Sequence, residues 1–217
     1  MVVRDLLAGY LREIHYWPIF NSSTNDIISN ADLYEPHNAF FIPNRMGFPN
    51  SAISLLRGYY NLPPRNYFNG DFTIMTWVKL TDSGHFQRFI DCGIDKYKAV
   101  YISLSSGLTN KPHFKISYDS DRESFYALVS DNSLVIGVWY HLTFIFKENF
   151  GYYYRNGVLD KSGILDHPMN ITRTICYLGK SQYTGADPDI SADFDEIKIF
   201  NRALNADEIF REYKKPF

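Results

Sequence analysis

The sequence predicts an all-β fold, a sandwich or barrel of antiparallel strands that ends in one short helix. Two observations carry this prediction. Short apolar or alternating segments recur about every ten residues, separated by Gly, Asn, Asp and Ser, as strands and turns do in such folds. Aromatic residues make up 17 % of the 217 residues, and aromatic side chains favour strands. No domain boundary is visible, so we expect a single domain over residues 1–217.

The first half of the chain contains three clear strand segments. Residues 11–20 (LREIHYWPIF) and 52–62 (AISLLRGYYNL) each have strand character. Residues 71–80 (DFTIMTWVKL) are apolar at nearly every position, as expected for a central strand that is covered on both faces. We therefore expect Trp77 in this segment, and Trp139 in a later apolar one, to be largely buried.

The second half of the chain continues the strand series. Four segments, RFIDCGI, AVYISLSS, HFKISYDS and SFYALVS, follow one another with turn residues between them. Residues 137–148 and 150–159 predict two paired strands. The second of these contains Asn156-Gly157, a pair typical of hairpin turns that need positive φ. ICYLGKS and ADFDEIKIF close the series.

One helix is predicted near the C-terminus. Asn205 can cap its first turn, and Glu208, three residues later, can return a bond to the capping residue. Ile209 and Tyr213 are four residues apart and therefore share one face of this helix.

Composition argues against two classes of partner. The net charge is -2 and no basic run occurs, so we expect no nucleic acid. No apolar run approaches the roughly 20 residues of a membrane helix, so we expect no membrane insertion.

The chain has two cysteines, Cys92 and Cys176, which are too few for a zinc site. They either pair or are small buried side chains. Glycosylation sequons at Asn21 and Asn170 favour a secreted chain.

Several segments, in this order, resemble a laminin-G-like, concanavalin A-like jelly-roll domain: GDFTIMTWVKL, GVWYHLTFIF, YYYRNGVL, YLGKSQY and FDEIKIFNRALNADEI. The resemblance covers about residues 16–213. It implies two antiparallel sheets packed face to face, with loops at the rims. Domains of this family often bind glycans or proteins near a calcium ion. They occur as modules of extracellular or cell-surface chains and as accessory domains of glycosidases.

The resemblance implies that this chain is a non-catalytic extracellular or cell-surface recognition module, part of a larger chain, that binds a glycan or an extracellular protein. Rim-loop residues Tyr183, Asp187 and Asp189 are the candidate ligand contacts. The family usually has a small residue, often Gly, shortly before its closing Asp-Glu, and Ala192-Asp193 stand there in this chain. Two alternatives from other classes are a glycoside hydrolase of the same fold and a structural spacer without a ligand.

The closing strand contains a carboxylate that needs an explanation. Because alternate strand residues share a face, we expect Asp195 to point inward with Ile197 and Ile199, while Glu196 and Lys198 point outward. A buried carboxylate is costly unless it has a partner.

Two kinds of partner are compatible with the sequence. Asp195 either accepts hydrogen bonds from backbone N–H groups or Arg202, or it binds a structural calcium ion, which prefers oxygen ligands. Like charges repel unless they are solvated or share a cation, and four aspartates lie close together in the sequence: Asp187, Asp189, Asp193 and Asp195. The first and last strands are neighbours in the family, which would bring in Asp26. If the partner is a calcium ion, Asp195, Asp26 and Asp193 are its candidate ligands.

The segment YDSDRES contains three alternating carboxylates, Asp119, Asp121 and Glu123. Related glucanases of this fold use three alternating carboxylates on one strand, and their set begins with Glu. In this chain the first position is Asp, an Arg intervenes, and the composition is typical of a hairpin turn. We therefore predict a solvated turn, no catalytic residues and no enzymatic activity.

Overall fold

The computed structural model of the chain describes residues 13–118 and 126–216, and in that part it contains thirteen strands and one helix. Every strand pairing is antiparallel. Strands β1 to β13 are, in chain order, His15–Trp17, Tyr34–Ile42, Ala52–Asn61, Phe72–Leu80, Arg88–Asp95, Lys98–Ser103, His113–Tyr118, Leu128–Val129, Trp139–Lys147, Phe150–Arg155, Val158–Ile164, Ile175–Leu178 and Ile190–Phe200. Helix α1 is Ala206–Lys214.

The strands form two packed layers, which confirms the predicted all-β sandwich. The hydrogen-bonded order is β11-β10-β9-β4-β13-β3-β12-β5-β6-β7-β8, and β3 belongs to both layers. Its first half pairs with β13 and its last residues pair with β12. We call the layer with β4, β9, β10, β11 and β13 sheet I, and the layer with β5, β6, β7, β8 and β12 sheet II. Strand β1 joins sheet I through β13, and β2 runs beside β3.

The core lies between the two sheets and is rich in phenylalanine. The ring of Phe114 in sheet II lies 6.0 Å from Phe72 and 5.9 Å from Phe144 in sheet I, measured between centroids. Phe89 and Phe194 stack across the same interior at 5.4 Å. These contacts account for the aromatic content that predicted strands.

Cys92 and Cys176 form a disulfide, so the pairing alternative is the correct one. The two residues are directly opposite each other on β5 and β12.

The two tryptophans expected to be largely buried, Trp77 and Trp139, lie on the outer face of sheet I and are only partly buried. Trp17 on β1, at 1 % exposure, is the one that is enclosed by the core.

The local turn and cap signals are confirmed. Asn156 and Gly157 both have positive φ, at 52° and 78°, and join β10 to β11. The side chain of Asn205 accepts a hydrogen bond from the backbone N–H of Glu208, and Glu208 accepts one from the backbone N–H of Asn205. Helix α1 then buries Ile209 against the outer face of sheet I.

The expected face of Asp195 is wrong, because β13 contains a β-bulge. The pairing of β13 with β4 shifts by one residue between Asp195 and Lys198, and Glu196 adopts a φ of 48°. An extra residue in a strand reverses its alternation. Ile197 and Ile199 therefore point into the core, whereas Asp195 is on the outer face of sheet I.

Asp195 is nevertheless fully buried, and its partner is Arg45 rather than Arg202. Arg45 Nη1 donates to Asp195 Oδ2 over 3.1 Å, from the loop between β2 and β3. The guanidinium carbon of Arg45 also lies 4.2 Å from the ring centre of Trp77. Arg202 forms an ion pair with Glu208 instead.

Arg45 also begins a chain of charges that ties α1 to sheet I. Arg45 lies 3.5 Å from Glu196, and Lys198 lies 3.9 Å from Glu196 and 2.9 Å from Glu212 on the helix. Lys215 completes the chain through a second contact with Glu212. The outer face of sheet I is therefore covered by a helix held by both charges and apolar packing.

Candidate functional site

The outer face of sheet II carries a row of side chains in cross-strand register. The residues next to this row along each strand, such as Ile90, Ile102 and Phe114, point into the core instead. At about 4.8 Å per strand the row is about 24 Å long. Its members, each on a different strand, are Tyr34, Asn61, Tyr177, Asp91, Tyr101 and Lys115.

The loop between β12 and β13 crosses this row at Asp91, and we call residues 181–187 the strap. The backbone N–H of Gln182 donates to Asp91 Oδ2 at 3.1 Å, and its side-chain amide donates to Oδ1 at 2.7 Å. Asp91 is 0 % exposed. Burial raises its pKa, against the opposing influence of Arg88 and of the two Gln182 bonds.

Arg88 holds the strap at a second point. Its Nη2 donates to Asp187 Oδ2 at 2.9 Å, and its Nε lies 3.4 Å from Asp91. Asp187 also accepts a hydrogen bond from the hydroxyl of Ser181 at 3.1 Å. The guanidinium carbon lies 5.0 Å from the ring centre of Tyr101, so its charge is shared between two carboxylates and an aromatic face.

A cavity of about 280 Å³ lies on one side of the strap. The Tyr183 hydroxyl donates to the carbonyl of Lys96 at 3.2 Å, and the Tyr101 hydroxyl lies 3.1 Å from Ser117 Oγ, so both rings are held in place. Aromatic walls with a few convergent polar groups are typical of a small-ligand site. The side chains that shape this cavity are Phe86, Arg88, Tyr101, His113, Tyr183 and Asp187.

His113 adds an uncharged hydrogen-bonding group to the cavity. Its Nδ1 is buried and has no hydrogen-bond partner. Burial, together with the nearby charges of Arg88 and Lys115, lowers the pKa of His113 to about 4. The imidazole is therefore neutral near pH 7, so His113 lines the cavity without adding a charge.

The structure brings two of the three predicted ligand contacts together. Tyr183 and Asp187 both line the cavity. Asp189 lies outside its lining, in the surroundings of Lys180 and His37, and burial raises its pKa. A role in ligand binding stays a prediction for all three residues.

Arg88, Tyr101 and Asp91, which organise the cavity, are absent from the sequence-based candidates. In the sequence, the sign of this site is that the otherwise mainly apolar segment RFIDCGI contains two charged residues, Arg88 and Asp91. Read with strand alternation, Asp91 occupies the opposite face from Ile90 and Cys92.

Asp26, one of the predicted calcium ligands, is held by protein donors. Its Oδ1 accepts backbone N–H bonds from Tyr16 and Ile28, both at 3.0 Å. Its Oδ2 lies 2.7 Å from His15 Nδ1. Although burial raises the pKa of Asp26, hydrogen bonds from Ser29, the backbone and His15 bring it to about 2.

The other two predicted calcium ligands are each paired with a cation. Asp193 Oδ2 lies 2.7 Å from Lys79 Nζ, and Asp195 is paired with Arg45. Strand β1 does neighbour β13, as expected, but within residues 13–118 and 126–216 no three His, Cys, Asp or Glu side chains group as a metal site. Calcium binding stays a prediction. Residues 119–125, with the alternating carboxylates of the predicted turn, lie outside the described residues.

The fold and the sequence together identify the family. Residues 57–210 match the family model of the concanavalin A-like lectin/glucanases superfamily. The chain belongs to this superfamily. The match confirms the resemblance of the sequence to laminin-G-like, concanavalin A-like jelly-roll domains. Among curated proteins, no sequence match was found.

Solved structures share this superfamily fold at low sequence identity. Domain 4 of AbnA, a GH43 extracellular arabinanase from Geobacillus stearothermophilus, in complex with arabinotriose, has a TM-score of 0.79 and 16 % identity, covering 94 % of this chain and 98 % of that one. The binding domain of Paraclostridial Mosquitocidal Protein 1 has a TM-score of 0.69 and 15 % identity, covering 93 % and 51 %.

A structure of botulinum neurotoxin type C, a toxin whose cell entry depends on interaction with two ganglioside molecules, has a TM-score of 0.70 and 14 % identity. The match covers 93 % of this chain and 50 % of that one. This chain thus spans nearly all of the arabinanase domain and about half of each of the two toxin chains. At these identities the likeness shows a common fold.

Proposed function

We propose that this chain is a non-catalytic saccharide-binding module and that the cavity beside the strap is its binding site. The observation that carries the proposal is the cavity itself, in which the fixed rings of Tyr101 and Tyr183 surround a buried, neutralised Arg88. Sugars offer apolar C–H faces to aromatic rings and hydroxyl groups to polar ones. The cavity presents both kinds of group side by side.

Binding, rather than hydrolysis, is favoured by the carboxylates of the cavity. Among its described lining residues Asp187 is the one carboxylate, and it is paired with Arg88. Glycoside hydrolysis usually needs two carboxyl groups on opposite sides of the bond to be cleaved. The superfamily includes both lectins and glucanases, so the glycoside hydrolase is the alternative that the experiment below addresses.

A saccharide is favoured over a protein surface as the ligand. The cavity has a volume of about 280 Å³, at the lower end of the range for small-ligand sites. A stable protein interface buries about 800 Å² on each partner, over a broad surface. An arabinotriose complex and a ganglioside-dependent toxin among the structural relatives support the same ligand class.

We further propose an extracellular or cell-surface location. The Cys92–Cys176 disulfide is typical of oxidising compartments, and both sequon residues, Asn21 and Asn170, are exposed. The arabinanase relative is extracellular. Within the described residues, no helix has the length and apolar character needed to cross a bilayer.

A glycan array tests this proposal. The full chain would be applied to immobilised arabinans, β-glucans and ganglioside oligosaccharides, in parallel with a Tyr183→Ala variant. Loss of one aromatic contact should weaken binding about tenfold. Tyr118→Ala is the matched control, because Tyr118 is exposed at the end of β7 and does not line the cavity.

Three results would contradict the proposal. A chain that binds none of these glycans is not a saccharide-binding module of the proposed kind. Binding that is equally strong in Tyr183→Ala and in Tyr118→Ala would place the site elsewhere. Release of new reducing ends from a bound polysaccharide would show that the chain is an enzyme.

A further inference from the structure

The registered row continues on the other side of the strap, where it carries a second group of aromatic rings. Tyr59 and Tyr177 meet edge to face at 5.9 Å between centroids. Lys180 Nζ lies 4.0 Å from the ring centre of Tyr59 and 5.3 Å from that of Tyr177. Tyr34 extends the row, beside a small cavity of about 130 Å³. We call Tyr34, Tyr59 and Tyr177, with Lys180, the tyrosine platform.

The platform is not part of the core. Cys176 and Leu178, the neighbours of Tyr177 on β12, fill the interior, whereas Tyr177 itself is on the outer face and partly exposed. Tyr34 is 42 % exposed. Rings that the fold leaves accessible next to one another are a frequent mark of a contact surface. The ammonium of Lys180 sits on a flexible stem, so a ligand can displace it from the Tyr59 ring.

The platform and the cavity are close enough to contact one ligand. Tyr177 and Tyr101 are separated by a single strand, β5, so their backbones are about 10 Å apart across the sheet. The strap lies between the two groups of rings, fixed to Asp91 by Gln182. Its Tyr183 ring meets that of Tyr101 edge to face at 6.3 Å.

We propose that the tyrosine platform is a second subsite for the saccharide bound in the cavity, so that the ligand is an extended saccharide chain rather than a single terminal sugar. This inference rests on the proposed function. The cavity holds one part of the chain against its two partly exposed aromatic rings, Phe86 and Tyr183. A later part of the chain stacks on Tyr177 and Tyr34, and its hydroxyl groups meet Asn61.

Chain length is the variable that tests the inference. Arabinans and β-glucans would be immobilised as short and long chains of the same linkage. The unmodified protein should bind the long chains more tightly. Tyr177→Ala should weaken binding to long chains about tenfold and change binding to short chains less than about twofold. Tyr183→Ala should weaken both, and Tyr118→Ala should weaken neither.

Each outcome separates the inference from the proposed function. Equal affinity for short and long chains, or a Tyr177→Ala variant that binds long chains normally, overturns the second subsite and leaves the saccharide module intact. No binding to any glycan overturns both. Tyr177→Phe keeps the ring and should bind long chains normally. Tyr59→Ala provides an independent variant of the platform, should Tyr177→Ala fail to fold.

Discussion

Replacing Arg45 by Met should destabilise the fold by an amount that grows with pH. The Arg45 and Asp195 side chains are 9 % and 0 % exposed. Met removes the guanidinium that lies 3.1 Å from Asp195 but keeps an apolar stem against Trp77. Breaking a buried pair that stays ionised costs about 3 to 5 kcal/mol. The protonation of Asp195 decides whether this full cost applies.

Burial and the neighbouring Glu196 carboxylate raise the pKa of Asp195 to about 8, against the opposing effect of Arg45. An unfolded Asp has a pKa of about 3.9. In the range between these values the folded state holds a proton that the unfolded state has lost. The stability from this group is therefore present at low pH and is lost as pH rises from about 4 to about 8.

The same linkage gives the magnitude of the effect. At about pH 6 Asp195 is protonated with or without Arg45, so the substitution removes packing and the hydrogen bond from the guanidinium to a neutral carboxyl group, about 1 kcal/mol. Above pH 8 the unmodified protein releases the proton to form an ion pair, and Arg45→Met does not. The difference then grows by about 1.4 kcal/mol per pH unit, which gives a loss of about 2.5 kcal/mol at about pH 9.

Urea unfolding with the disulfide intact, followed by tryptophan fluorescence, measures both losses. Lys161→Met is the matched control, because the Lys161–Asp131 pair is shorter, at 2.7 Å, but exposed, and its loss should cost less than about 1 kcal/mol at either pH. Asp195→Asn should remove the pH dependence. An equal loss for Arg45→Met at both pH values would refute this account of Asp195.

Three further predictions concern stability. Reduction of Cys92–Cys176, which are 84 residues apart, should cost about 4.5 kcal/mol in urea unfolding, and a loss below about 1 kcal/mol would contradict this. Burial lowers the pKa of His141 to about 3, so the unfolded state binds more protons and stability should fall as pH drops from about 6.5. His141→Gln should flatten that acid slope, and an unchanged slope would argue against His141 as its source. Calcium bound at Asp195 would stabilise the fold by about 2.7 kcal/mol at a hundredfold excess over Kd, whereas equal melting temperatures in calcium and in EDTA would exclude a stabilising ion.

Elements set by neighbouring residues could be predicted from the sequence. The turn at Asn156-Gly157 needs only two residues that tolerate positive φ, and the cap of α1 needs only Asn205 and Glu208 at the right spacing. The strand series follows in the same way from short apolar segments and the turn residues between them. Each of these signals lies within a few positions of the structure that it specifies.

The surroundings of Asp195 could not be predicted in this way. The bulge depends on Glu196, a residue whose type gives no sign of a φ of 48°. The partner, Arg45, is 150 positions away along the chain. Strand alternation is reliable only where pairing is regular, and one extra residue moved Asp195 to the opposite face. A long-range charge pair also requires the order of strands in the sheet, which periodicity does not give.

The candidate site was half predictable for a similar reason. The family resemblance pointed to the rim loop that contains Tyr183 and Asp187, and these two residues lie close together in sequence. Arg88 and Tyr101 are on two strands, and only the register of β5 with β6 brings them under that loop. Cross-strand register is a property of the folded sheet, so no local pattern links Arg88 to Asp187.

The two outer faces of the sandwich differ in what holds their covering segment, and this difference favours the strap as the site of function. Helix α1 buries Ile209 in an apolar cluster with Met75 and Phe200, so lifting it would expose apolar surface to water. The strap is held mainly by polar contacts, from Gln182 to Asp91 and from Arg88 to Asp187. The strap therefore places polar side chains over the outer face of sheet II, where a saccharide could reach groups that form hydrogen bonds. The helix instead seals sheet I with apolar side chains, which offer a saccharide no such groups.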